Sequence, residues 1–137
     1  DSGSTVTACD QPAGYVANAT DCDDSEGSVH PGATETCNDT DDNCNTLIDE
    51  GAVDRSTWYA DSDGDSFGNM AVSQLACDQP SGYVADSTDC NDSNTAVNPN
   101  ATEVCNGTDD DCNSLVDDSA VDEATWYADS DGDTELG

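Results

Sequence analysis

Apolar residues are sparse along this chain and come in short runs separated by Gly, Pro, Asn and Asp. The runs at 5–8, 14–17, 56–60, 72–76, 82–85 and 125–128 are β-branched or aromatic and bounded by turn formers, so short strands are predicted there. No stretch sustains a 3.6-residue period. Helical structure is expected only as short turns starting after Asn43 and Asp111.

The pattern repeats. Cys9, Cys22, Cys37, Cys44 and Trp58 recur at Cys77, Cys90, Cys105, Cys112 and Trp126, every one 68 residues on. Two copies follow, 1–68 and 69–137, and a fixed period of this length is the signature of an array whose neighbours stack. Large apolar groups are few, mainly Tyr15, Val29, Leu47, Ile48, Val53, Trp58 and Tyr59 in the first copy. A unit this poor in core needs staples, and disulfides and metals are the usual ones. The expected fold is a small, loop-rich, mostly irregular and β tandem repeat with short strands and helical turns, stapled by disulfides and calcium. Trp58 precedes Cys77 by 19 residues, and Trp126 would precede Cys9 of a following chain by 20. That register predicts copies joined head to tail, covalently or by docking; an arbitrary pair of end points is the alternative.

Charge sharpens the picture. Arg55 is the one Lys or Arg against 32 acidic residues, and the formal net charge is -31. Carboxylates this dense repel across a Debye length of roughly 8 Å, so a compact state calls for divalent cations. Nucleic acid is excluded as a partner, since phosphate recognition needs Lys and Arg. Composition alone would read as disorder. Eight cysteines, two Trp-Tyr pairs at equivalent positions and carboxylates at fixed spacing oppose that reading. An even cysteine count in a short chain predicts a disulfide framework and a secreted, extracellular or cell-surface location. No Cys-x-x-Cys pair is present and His30 is not repeated, so structural zinc is not expected. The chain has no initiating Met, signal peptide or membrane-length apolar run, as expected for a mature or excised piece of a secreted protein without membrane insertion.

The acidic residues form loops. Asp41, Asn43, Asn45 and Asp49 place oxygens at positions 1, 3, 5 and 9, with an apolar residue at position 8, as at the front of an EF-hand calcium loop. The Leu47 carbonyl would fill position 7, and Asp109, Asp111, Asn113, Leu115 and Asp117 repeat the set. Position 6 is Thr46 or Ser114 where Gly is usual, and position 12 is Ala52 or Ala120 where Glu is usual. A full EF-hand with flanking helices is therefore not expected. The bidentate ligand must come from elsewhere, with Glu35, Glu50, Glu103 and Asp118 as candidates. Asp61, Asp63 and Asp65 form a second such loop, copied at Asp129, Asp131 and Asp133; a solvated Asp-Gly turn is its alternative. A third group is Asp21, Asp23 and Asp24 followed by Glu35, copied as Asp89, Asn91 and Asp92 followed by Glu103. Its two turns could share an ion or be a pair of capped turns.

The run Thr-Asp-Cys-Asp-Asp, then Val29-His-Pro-Gly-Ala-Thr-Glu-Thr-Cys-Asn, Asp-Asp-Asn-Cys-Asn and Ile-Asp-Glu50 resembles a metal-binding repeat of secreted and surface proteins of many bacteria. That family is named after a methanotroph copper-binding surface protein. The resemblance extends to both copies and implies a surface or filament role. Copper carries over poorly, because it prefers soft or imidazole ligands and this chain offers one His, one Met and cysteines expected to be paired. An all-oxygen set favours Ca²⁺ as the bound ion.

Cysteine pairing has three possibilities per copy. Local bridges Cys9–Cys22, Cys37–Cys44, Cys77–Cys90 and Cys105–Cys112 are the favoured set, with Cys22–Cys44 as the main rival. Asn-x-Ser/Thr sequons at Asn18, Asn38, Asn91, Asn100 and Asn106 are candidate glycan sites, although a chain rich in Asn, Ser and Thr makes sequons freely. The leading functional expectation is a calcium-rigidified extracellular array or filament segment, a structural protein and not an enzyme. A copper-scavenging or storage surface protein is the alternative. A carboxylate hydrolase is disfavoured, with no Lys, one unrepeated His and no core to frame a cleft.

Overall fold

The computed structural model describes residues 4–129. Among these residues three strands form, β1 (Ser56–Ala60), β2 (Asn69–Ala76) and β3 (Tyr83–Val84), in one sheet of order β2-β1-β3. β1 and β3 are antiparallel, with Tyr59 opposite Val84 and Ala60 opposite Tyr83. Three of the predicted strands are thus formed, the one predicted at 72–76 being longer at its start. The segments at 5–8, 14–17 and 125–128 are not strands. They have the same sequence character, but a strand also needs a neighbour for its N–H and C=O groups.

No helix forms among the described residues, which corrects the helical turns expected after Asn43 and Asp111. Asp41 takes the N–H groups of Asn45 (3.1 Å) and Thr46 (2.7 Å), and Asp109 takes those of Asn113 (3.0 Å) and Ser114 (2.8 Å). Side-chain oxygens that capture backbone donors displace the helical pattern.

The chain divides into two compact units, Asp1–Thr57 with Leu75–Asp78, and Trp58–Gln74 with Gln79–Gly137. Each has a very small core. Val29 and Ala52 are buried in the first, Val97 and Ala120 in the second, one period apart. Carboxylates are buried as well: Glu35 and Asp42 in the first, and Glu103, Asp110 and Asp89 in the second. These acids hold backbone. Asp42 accepts from the Thr36 N–H (3.0 Å) and from the Asn38 amide, and the Asn38 side chain above all keeps its carboxyl below the usual range. The core of each unit is in effect a carboxylate clasp.

Three disulfides close the loops, in a pairing different from the local set favoured above. Cys22 bonds Cys44 and Cys90 bonds Cys112, each across 22 residues, while Cys37 bonds Cys77 across 40. Cys9 and Cys105 are free thiols. The local bridges Cys9–Cys22, Cys37–Cys44, Cys77–Cys90 and Cys105–Cys112 do not form. The short 37–44 loop is already closed by Asp42, and Cys44 is turned into the left-handed region (φ 61°), with the Cys22 N–H on its sulfur at 3.1 Å.

Left-handed backbone recurs at position 6 of the Asp41, Asp61 and Asp109 loops: Thr46 (φ 78°), Ser66 (φ 80°) and Ser114 (φ 75°). This region costs an L-residue roughly 1–2 kcal/mol, and Gly brings back about 0.5–1 kcal/mol as lost chain entropy. Thr46→Gly is therefore expected to raise stability by about 0.5–1 kcal/mol in denaturant unfolding. A loss of similar size would assign the Thr46 side chain a contact of its own.

Candidate metal centre

The sheet builds the strongest site. β1 ends at Ala60 and delivers Asp61, whose N–H bonds the Gly82 carbonyl at 2.9 Å. The chain then turns through 61–67 and returns at Gly68, whose carbonyl takes the Asp89 N–H (3.2 Å), next to a bridge between Asn69 and Thr88. Gly68 is required at this close approach: a Cβ there would meet the Asp86 carbonyl at 2.6 Å and Tyr59 Cβ at 2.8 Å. Within the loop Asp61 accepts from the Gly64 (2.7 Å) and Ser66 (3.2 Å) N–H groups, and Asp65 from that of Phe67 (2.9 Å).

The result is five converging carboxylates. Asp61, Asp63 and Asp65 lie with ligand oxygens within 4.8 Å of one another, as do Asp63, Asp89 and Asp92. Asp92 is fixed by the Ser62 N–H (2.6 Å) and hydroxyl (2.7 Å). Asp63 Oδ2, Asp65 Oδ2 and Asp89 Oδ2 are buried and without a hydrogen-bond partner. A buried unpaired carboxylate oxygen is costly, and such oxygens in two acidic triads that share Asp63 fit a cation. Burial first, and then the charges of Asp65, Asp63 and Asp92, push the Asp89 carboxyl up.

A raised carboxyl binds its proton more tightly in the fold. Without metal, the contribution of Asp89 to stability therefore falls as pH rises from the ordinary carboxylate range through its folded value. Asp89→Asn removes that loss together with a ligand charge. The variant is expected to melt higher than the parent in EDTA at neutral pH, yet to gain less on adding calcium. A variant that melts lower in EDTA would give Asp89 a purely structural role.

The second site is the loop predicted from the EF-hand-like spacing. Glu103, Asp109 and Asp111 bring ligand oxygens within 4.8 Å of one another. Glu103 also accepts from the backbone of Asp111 (2.8 Å) and Asp117 (3.0 Å). In the first copy Glu35 accepts from Asn43 (2.8 Å) and Asp49 (3.1 Å), with Asn43 in the place of Asp111. Glu50 receives the Asn43 amide at 2.9 Å and that of Asn45, and it is this Asn43 bond first that holds its carboxyl low. Asp118 receives the Asn113 amide at 3.1 Å. Asp49 and Asp117 take the N–H groups of Asn38 (3.1 Å) and Asn106 (2.9 Å), and those of Leu47 and Leu115 rest on Asn45 and Asn113, both at 2.8 Å.

The third predicted group is divided differently. Asp89 and Asp92 join the Asp61 loop, while Glu103 joins Asp109 and Asp111. The Asn91 side chain takes the Ser93 hydroxyl (2.8 Å). Their first-copy counterparts make local turns, with Asp21 accepting from the Asp23 N–H (2.9 Å) and Asp23 from Ser25 (3.0 Å). Asp89 also lies near Cys90 and Cys112, but those sulfurs are bonded to each other and offer no thiolate. Asp131 and Asp133 lie outside the described residues. Among the sequons, the Asn38 and Asn106 amides are engaged by Asp42 and Asp110, whereas Asn18 and Asn100 are exposed. Sequence reasoning missed Asp42, Asp110, Asp54 and Asp122. Asp54 and Asp122 hold the Cys37 (2.8 Å) and Cys105 (2.7 Å) N–H groups, and recurrence at the 68-residue period was the available signal for all four.

Comparison with curated proteins and with solved structures finds no match. A family model does match, twice, at 21–50 and 89–118, taking in the Asp41 and Asp109 loops together with Glu35 and Glu103. These two segments match the family model described as "Putative metal-binding motif" (Cu-binding MopE), so the chain carries that motif twice, one 68-residue period apart.

Proposed function

We propose that this chain is a calcium-binding structural repeat of an extracellular surface array or filament, and not an enzyme. The observation that carries the reading is the Asp61, Asp63, Asp65, Asp89 and Asp92 cluster, with three orphaned buried oxygens and no nitrogen or thiolate ligand. Hard oxygen sets of this size suit Ca²⁺, which takes 6–8 oxygens. Extracellular modules of this kind bind at roughly 10⁻⁴–10⁻³ M, matched to calcium outside cells. The three disulfides agree with an oxidising, extracellular setting, and no helix of the described residues is long and apolar enough to cross a membrane. The partners are further copies of the chain, head to tail, with glycans at exposed sequons such as Asn18 and Asn100.

A copper-scavenging role is the second reading, favoured by the family's name. It would have to draw on His30 and Met70, the chain's one His and one Met. Elemental analysis of protein purified without chelator decides between them. Calcium at one or more equivalents per chain is the expected result, and copper near one equivalent with calcium absent would reverse the assignment.

A further inference from the structure

The carboxylates around the Asp61 loop fall into two triads. Asp61 and Asp65 share one with Asp63, Asp89 and Asp92 share the other with Asp63, and Asp63 belongs to both. All five residues lie in the second compact unit. The orphaned oxygens divide in the same way. Asp65 Oδ2 belongs to the first triad, Asp89 Oδ2 to the second, and Asp63 Oδ2 is common to them. Asp89 carries the most weight, since it is only 9% exposed. One of its oxygens takes the Asn91 N–H at 2.7 Å, which leaves Oδ2 buried and unpartnered. The charges that act on this carboxylate are those of Asp65, Asp63 and Asp92, so it faces the cluster.

Each triad has the dimensions of an ion seat. Ca–O bonds run about 2.3–2.6 Å, so oxygens on opposite sides of one ion lie about 4.6–5.2 Å apart. Ligand atoms within 4.8 Å of one another meet that spacing, and each triad does so by itself. The outer carboxylates are held in place by the backbone. Asp61 takes the Gly64 and Ser66 N–H groups, and Asp92 takes the N–H and hydroxyl of Ser62. Between them, Asp63 accepts only a long bond from the Asp65 N–H, at 3.3 Å through Oδ1. Charge points the same way. One divalent ion leaves three of the five carboxylate charges unmatched, and two ions leave one.

We infer that this cluster is a two-ion site, with one calcium seat in the Asp61–Asp65 loop and a second between Asp63, Asp89 and Asp92, and with the Asp63 carboxylate bridging the ions. The inference rests on the calcium reading proposed above and adds the number of ions and the residue that joins them. Metal ions in such paired sites sit about 3.5–4 Å apart. The two seats do different work. The first closes a local loop, whereas the second ties residues 26 positions apart, Asp63 and Asp89, and so acts as a staple. Its ligands also cross the edge of the family motif, which begins at residue 89, so the motif segment holds only part of this site.

The test counts ions in the full chain with its disulfides intact. In crystals grown with calcium, anomalous scattering is expected to show two peaks at the cluster, about 3.5–4 Å apart and both against Asp63. In solution, bound calcium is measured by equilibrium dialysis at ~10 mM free ion, about tenfold above the weakest affinity of extracellular modules. Asp65→Asn and Asp89→Asn should each lose one equivalent, and the double variant two. Asp63→Asn should lose two by itself. A Cys90–Cys112 linked peptide from each variant checks its fold, and the crystal of the parent chain decides the matter if a variant fails that check. One peak ligated from both triads overturns the two-ion site and leaves the calcium reading standing. So does a double variant that loses no more than either single one, or an Asp63→Asn chain that loses only one equivalent. No peak at the cluster, with no loss of calcium in any variant, overturns both.

Discussion

Excess EDTA is expected to lower the melting midpoint of this protein by about 10 °C or more relative to calcium-saturated buffer. A site at about one hundred times its dissociation constant contributes roughly 2.7 kcal/mol to the folded state. In a domain of 60–100 residues each kcal/mol moves the midpoint by about 4–8 °C. One occupied site is therefore enough, and the chain offers at least two acidic clusters. The physical reason is the formal charge of -31 gathered onto loops with hardly any apolar core beneath them. Without counter-ions the buried oxygens of Asp63, Asp65 and Asp89 have no hydrogen-bond partner to offset their charge. A midpoint unmoved by EDTA would remove calcium as a structural element. Readdition of calcium, with magnesium as the control, should restore the midpoint, since Mg²⁺ needs a tighter octahedral shell.

Truncating the buried glutamates should have an effect of comparable size. Glu35 and Glu103 each accept two backbone N–H groups, and both are buried. Glu35→Ala leaves two donors without partners, at about 1–3 kcal/mol each. A compact unit of this size has total stability on the order of 3–9 kcal/mol, from about 0.05–0.15 kcal/mol per residue. The first unit of Glu35→Ala should therefore sit close to its unfolding midpoint at room temperature. Glu35→Gln keeps one acceptor oxygen and should fall between. Denaturant unfolding in calcium and in EDTA separates the two roles of this side chain. Equal losses in both mark the backbone clasp, and a loss seen only in calcium would make Glu35 a ligand alone.

The sequence shows several parts of this design directly. The 68-residue period is visible in cysteines and tryptophans because stacking repeats reuse the same residues. The alternating oxygens of the Asp41, Asp61 and Asp109 loops are visible because Asp and Asn fall there at every second residue, the spacing a tight cation-binding loop would need. The strands at Ser56–Ala60 and Tyr83–Val84 are visible as short β-branched and aromatic runs. The helical turns were misread because spacing does not reveal that Asp41 and Asp109 bond the backbone of their own loops.

Other features depend on distant neighbours. Identical Thr-Trp-Tyr-Ala segments are a strand at one position and not at the other, because only the first has β2 and β3 beside it. Cysteine spacing made the local pairs look natural, yet Cys37 reaches Cys77, forty residues on. The carboxylates of one acidic cluster come from two segments almost thirty residues apart, since Asp89 and Asp92 meet the Asp61 loop only when the sheet brings Gly68 against Asp89. Residue chemistry and local spacing are written along the chain, so the sequence alone determined the repeat, the regular spacing of the oxygen side chains and the need for staples. Which carboxylates cluster, which cysteines pair and which strands form depend on contacts closed across long loops, and those only the tertiary structure decided.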